Sequence, residues 1–189
     1  MISPFIVDEG RRKGMLAVGA FALGAIASST AVGIVLGIAG MLLPASATWL
    51  LLVVGVAAVA LAIADLKGKT PTTRRQTRKM WWRKGPWAAS LIWGADLGVG
   101  FTTIKVASLY WAAALAVLAE GSSQIGLLMG AFGVGLAANV AVGVAALPRG
   151  EARDYHPLQA TSLLRIARPF SGAVLLLWGV SMVVVGVVG

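Results

Sequence analysis

The chain has no cysteine and a single histidine, His156, among 189 residues. Disulfides, thiolate nucleophiles and Cys-ligated metals are therefore excluded, and so is a poly-His metal centre. Acidic residues are scarce: 7 Asp and Glu stand against 16 Lys and Arg, and charged residues make up only 12% of the chain. A soluble domain carries roughly 25%. A chain of this size with so little polar surface cannot wrap its apolar groups inside one soluble core. What fills the sequence is apolar: 58% of residues, with 24 glycines and a mean hydropathy of +0.86. This composition predicts an all-α, polytopic transmembrane bundle, a single membrane domain over 1–189.

Five apolar stretches set the expected spans: 14–43, 47–64, 87–119, 124–147 and 169–189. Each approaches or exceeds the ~20 residues that cross the hydrocarbon at ~1.5 Å per residue. The first and third are long, so tilt, protruding ends or a break must absorb the excess. In the third, Gly94, Gly98 and Gly100 permit a break.

The basic residues orient the bundle. Arg11, Arg12 and Lys13 precede the first span, and a dense group from Lys67 to Lys84 separates the second and third. Arg149, Arg153, Arg165 and Arg168 separate the fourth and fifth. Five spans with a cytoplasmic N-terminus put all of the 16 except Lys105 on the cytoplasmic side of the plasma membrane, and the C-terminus outside. A six-span alternative divides 87–119 near Lys105 and moves the arginines of 148–168 outside. The net charge of +9 thus reads as a topology signal. Anionic lipid headgroups are the expected partner, and no nucleic acid is expected. Arg11–Lys13, an apolar run and Ala45-Ser46-Ala47 imitate a secretory signal. The run is about twice the ~7–15 residues of a signal core, so it is expected to be retained as a span.

Two basic loops follow from this topology. Residues 67–86, with Pro71 and dense like charge, predict a mobile cytoplasmic loop. Trp81, Trp82 and Trp87 mark its return to the headgroup level, where indole rings favour the interface. In 148–168, leucines alternate with Arg165 and Arg168, which fits either a short interfacial helix or an N-terminal extension of the fifth span.

The two long stretches share features. Arg12-Lys13-Gly14 and Arg83-Lys84-Gly85 precede them, Gly24-Ala25 and Gly94-Ala95 follow, and each then carries hydroxyls. This suggests an internal two-helix repeat. Ser28, Ser29, Thr102, Thr103 and Asn139 all fall near mid-depth of their spans. Transporters often place substrate and ion sites there. Ser, Thr and Asn also bridge packed helices, with small residues letting backbones approach. Asp96 and Lys105 add ionisable groups to the third span, where a charge at the bilayer centre costs at least ~2.5–3.5 kcal/mol. Nine residues apart, they lie on opposite faces of a straight helix, whereas Asp96, Gly100 and Thr103 share one. The candidate pathway is therefore Asp96, Lys105, Thr102, Thr103, Ser28, Ser29 and Asn139. The alternative is a buried polar set that fixes helix register or receives a partner subunit.

The stretch Trp93-Gly94-Ala95-Asp96-Leu97-Gly98-Val99-Gly100-Phe101-Thr102-Thr103, continuing to Leu109-Tyr110-Trp111, resembles small bacterial membrane proteins of the LysE, TauE and CcdA groups. The resemblance covers 83–143 and rests mostly on glycine and apolar positions. It implies export, or transfer of reducing equivalents across the membrane. The CcdA type uses a cysteine in each repeat, and this chain has none, so thiol electron transfer is not carried over. Its inverted three-plus-three arrangement also disagrees with five spans and a parallel repeat.

No catalytic set emerges around His156, and no strand precedes the glycine-rich windows to make a nucleotide loop. The expected protein is not an enzyme and needs no cofactor or metal. Two functions remain. One is a small solute or ion transporter, as a homo-oligomer, with a polar site near the midplane. The other is a non-catalytic subunit or assembly factor of a larger membrane complex.

Overall fold

The computed structural model describes residues 11–43, 47–70, 85–100, 108–145 and 157–188. Among these there is no strand. The helices are α1 (Arg11–Met41), α2 (Ala47–Leu66), α3 (Pro86–Val99), α4 (Leu109–Glu120), α5 (Ser123–Gly126), α6 (Met129–Ala145) and α7 (Pro157–Val188). Among the described residues, four stretches, Gly14–Met41, Trp49–Leu66, Ser123–Val142 and Arg168–Val188, are long and apolar enough to cross a membrane. The chain is an all-α, multi-pass integral membrane protein.

The packing is that of a protein in lipid. Its buried positions are mostly small, such as Ala17, Ala20, Ala25, Ala58, Ala62 and Ala112. Large apolar residues such as Leu23, Val35, Leu177 and Val184 are exposed. Lipid tails are as apolar as leucine, so outward-facing side chains cost nothing there. Close backbone approach then holds the helices together.

The long segments behave differently from one another. α1 runs unbroken for 31 residues, so the break permitted in the first span does not occur. Its hydroxyls are satisfied on their own helix. Ser29 Oγ donates to the carbonyls of Ala25 (2.8 Å) and Ile26 (3.1 Å), and Ser28 Oγ to that of Ala25 (3.3 Å). The third span is broken. α3 stops after 14 residues at Gly100, which is left-handed (φ 75°), and α4 begins at Leu109 and lasts 12 residues. At 1.5 Å per residue these pieces are ~21 and ~18 Å long, each short of a ~30 Å core. Helical periodicity therefore does not relate Asp96 to Thr103 or Lys105, and the lining face expected from a straight helix is replaced by a helix end. In 148–168, α7 is continuous from Pro157 and contains Pro169, which is the arrangement of an N-terminal extension of the fifth span.

The chain divides into two compact units. The first draws on Met1–Val32, Arg74–Thr103 and Leu127–His156. In it, Ala17, Val18, Phe21 and Ala25 of α1 pack with Trp93 and Leu97 of α3 and Leu136 and Val140 of α6. The Phe21 and Trp93 rings meet tilted at 5.2 Å, a favourable aromatic geometry. The second unit draws on Gly33–Thr73, Ile104–Gly126 and Pro157–Gly189. Ala62, Ala112 and Leu175, from α2, α4 and α7, form its core with Leu61 and Trp178. Gly55 meets Gly179, and Gly172 meets Leu66 and Ala62. The contacts run in opposite order along the two helices, so α2 and α7 are antiparallel, with Leu66 and Arg168 at the same end.

Candidate functional site

The C-terminus of α2 builds the most polar place among the buried residues. Gly68 adopts a left-handed conformation (φ 69°), which glycine alone takes without cost. Its N–H donates to Asp65 O (2.9 Å), and Lys69 N–H donates to Ala64 O (2.7 Å). These two bonds form the Schellman arrangement that ends many helices. The turn folds the chain back, and Thr70 Oγ1 reaches Asp65 Oδ1 at 2.8 Å.

Two further elements converge on the same carboxylate. Ser108 precedes α4 and receives Trp111 and Ala112 N–H on its carbonyl. Its side chain does not cap its own helix. Ser108 Oγ donates instead to Asp65 Oδ1 (2.7 Å), and Ser108 N–H to Oδ2 (2.8 Å). The acid thus caps the positive end of a half-helix from another part of the chain. From α7, Ser171 Oγ donates to Oδ2 at 2.6 Å. Gly172 beside it lets α7 lie close to Ala62 and Leu66.

The result is a closed polar cluster. Asp65 is 1% exposed, Ser108 and Ser171 are fully buried, and Thr70 is 8% exposed. Each carboxylate oxygen accepts two hydrogen bonds, which fills the roughly four lone-pair positions of an ionised carboxylate. All four donors described are neutral. Among the described residues there is no group of three or more His, Cys, Asp or Glu, so a multi-carboxylate metal centre does not form there.

The turn itself is testable. Gly68→Ala places a side chain at positive φ and is expected to cost about 1 kcal/mol. Thermal unfolding in detergent should show a small fall in midpoint. An unchanged midpoint would mean that the left-handed turn does not hold Thr70 in place.

The residues expected from the sequence lie elsewhere. Ser28 and Ser29 lie on α1 in the first unit, against glycines rather than a cavity. A Cβ at Gly98 would collide with Ser28 Oγ, and one at Gly133 with Ser29 Oγ. These hydroxyls sit in tight helix seams, bonded to carbonyls of their own helix. Asp96 is half-buried on α3. Asn139 is exposed on α6, so it is not brought to the Ser28–Ser29 seam. Trp87, in the first turn of α3, is 55% exposed. Thr102, Thr103, Lys105, Trp81 and Trp82 lie outside the described residues.

Asp65, Thr70, Ser108 and Ser171 are not foreseen by the sequence reading. Asp65 directly follows the apolar run 47–64 and precedes Lys67 and Lys69, so it reads as the start of a solvated basic loop. Its one local signal is Gly68, which marks the helix as continuing to residue 66. The partners lie 43 and 106 residues away, beyond any local pattern. No family model matches the chain, and neither a curated protein nor a solved structure matches it.

Proposed function

We propose that this chain is a small membrane transporter, without enzymatic activity, whose polar path passes the Asp65 carboxylate. The observation that carries the reading is the placement of that carboxylate at the head of α4, a half-helix that begins where the third apolar stretch is interrupted. Discontinuous helices whose N-termini face a polar centre are a recurring way to build transport sites. Non-helical backbone at membrane depth is tolerated where protein or a polar cavity surrounds it. An intramembrane acid is costly and marks a pathway by default.

Depth supports the reading. α4 spans only 12 residues between Ser108 and the turn at Gly121, where Gly121 meets Gly40 near the end of α1. Ser108 therefore lies within ~20 Å of that turn, level with the last turn of α2 that carries Asp65. The antiparallel α2 and α7 require an even number of crossings between them. This favours five spans over six, with both basic loops and the N-terminus cytoplasmic. A homo-oligomer in the plasma membrane fits a chain this small.

The test is reconstitution of the whole protein into liposomes, with currents recorded as amino acids, organic cations and organic anions are applied in turn. At least one class should evoke a current that Asp65→Asn abolishes while the variant remains monodisperse. No current from any class, together with a second polypeptide retained on gentle extraction, would replace this reading with that of an accessory membrane subunit.

A further inference from the structure

We propose that the α2–α7 pair seats one anionic phospholipid, with its phosphate on Lys67 and Lys69 and one acyl tail in a valine groove below them. The seat lies on the outer surface of these two helices, so it stands whether or not the chain moves a solute. It is a single site, distinct from the loose attraction of a basic loop to the membrane surface.

The groove is the first observation. Val56 and Val59 of α2 and Val180, Val183 and Val184 of α7 line an apolar groove of about 300 Å³. Val56, Val180 and Val184 are exposed, so the groove opens outward. Beside it the two backbones cross. A Cβ at Gly179 would stand 2.8 Å from the carbonyl oxygen of Gly55, and one at Gly55 would stand 2.9 Å from that of Gly179. Valine keeps one preferred rotamer in a helix, so the walls are rigid and the occupant must be the flexible partner. An acyl tail is such a partner.

Charge is the second observation. The apolar spans Trp49–Leu66 and Arg168–Val188 end and begin at the same level. Lys67 and Lys69, exposed just beyond Leu66, therefore stand at the depth of the headgroups. Arg168 opens the second of these spans beside Gly68, its Nη1 3.6 Å from where a Cβ there would stand. Basic groups clustered between helices at the membrane surface bind anionic head groups.

Alignment joins the two. Lys67 N–H donates to Ile63 O at 3.0 Å, so Lys67 keeps the helical register of α2. Val56, Ile63 and Lys67 then fall within ~20° of one line along the helix, and all three are exposed. Asp65 is nine residues from Val56 and lies on the opposite side, where Ser108 meets it. Groove and lysine thus share the face of α2 that turns away from α4. At ~1.5 Å per residue, Val59 and Val56 lie ~12 and ~16 Å below Lys67, and Val180 lies ~18 Å below Arg168. Half of a ~30 Å core is ~15 Å. A tail whose phosphate rests on Lys67 runs past Ile63 and ends in the groove. A helix from a second copy of this chain would fill the groove equally well, but a cationic rim one leaflet above it matches a phospholipid.

The test is native mass spectrometry of the full chain in maltoside detergent, titrated with dioleoyl phosphatidylglycerol or dioleoyl phosphatidylcholine. One phosphatidylglycerol should be retained in preference to phosphatidylcholine. Lys67→Gln with Lys69→Gln should weaken phosphatidylglycerol about 30-fold, the effect of two basic residues near an anionic surface, and leave phosphatidylcholine unchanged. Arg74→Gln with Arg75→Gln removes the same charge elsewhere and should keep the preference. Val180→Phe, at an exposed position, should weaken both lipids several-fold through lost packing and leave their ratio intact. Equal retention of the two lipids overturns the proposal. So do equal effects of the two double variants, since net charge alone then attracts lipid. Retention unchanged by Val180→Phe overturns it as well, because the tail then lies elsewhere. A dimer that Val180→Phe dissociates would assign the groove to a second copy instead.

Discussion

Asp65→Ala is expected to lower the unfolding midpoint in detergent by roughly 10 °C. The substitution removes the acceptor of four hydrogen bonds at once. It strands the hydroxyls of Ser108 and Ser171 and one backbone N–H in a buried place. Breaking a buried polar cluster by deleting its charged member costs about 3–5 kcal/mol, and each kcal/mol moves the midpoint of a chain this size by about 2–4 °C. The loss should be larger than for any single hydroxyl deletion, because Ser171→Ala removes one donor and leaves three bonds in place. Asp65→Asn should fall between the two, since it keeps one carbonyl oxygen and the same volume. A midpoint for Asp65→Ala within 2–3 °C of wild type would show that the carboxylate is not what joins α2, α4 and α7.

Gly94→Val should have a comparable effect in the other unit. A Cβ at Gly94 falls on the carbonyl oxygen of Phe21, and one at Gly24 on that of Leu91. Backbone cannot step aside as a flexible side chain does, so α1 and α3 must separate. The Phe21–Trp93 contact opens with them. Overpacking of this kind costs about 1–3 kcal/mol and occasionally more, and a branched side chain belongs at the upper end. Gly135→Ala on α6 is the control. Nothing lies within 4 Å of its added Cβ, so the change should be neutral or stabilising by about 0.5–1 kcal/mol through helix propensity. Thermal unfolding of the three proteins side by side checks both statements. Equal midpoints for Gly94→Val and Gly135→Ala would mean that the α1–α3 seam is not close-packed.

The two substitutions also mark where sequence reasoning ends. Gly94 and Gly24 are visible as small residues in apolar runs, and close helix approach is the ordinary reason for such glycines. Their partners are not visible, because a run of glycine and alanine matches many others equally well. Ser28 and Ser29 show the same limit. Their depth in the span was legible, but not the choice between a polar path and a helix seam. That choice depends on which residue of α3 or α6 stands opposite, and Gly98 and Gly133 do. Asp96 and Lys105 drew attention as charges within an apolar run. Asp65 did not, because its charged neighbours Lys67 and Lys69 made it resemble a loop residue.

Apolar content, span lengths and the placement of Lys and Arg are properties of the chain read residue by residue. They sufficed for an all-α membrane protein, for the approximate bounds of its helices and for the expectation that a long third span can break. Tertiary structure alone decided which long span breaks. α1 runs whole from Arg11 to Met41, and α3 ends at the left-handed Gly100. Tertiary structure alone also assembled the carboxylate cluster. Asp65, Ser108 and Ser171 belong to three elements far apart in sequence, and only packing of α2, α4 and α7 through small residues brings their oxygens within hydrogen-bond reach.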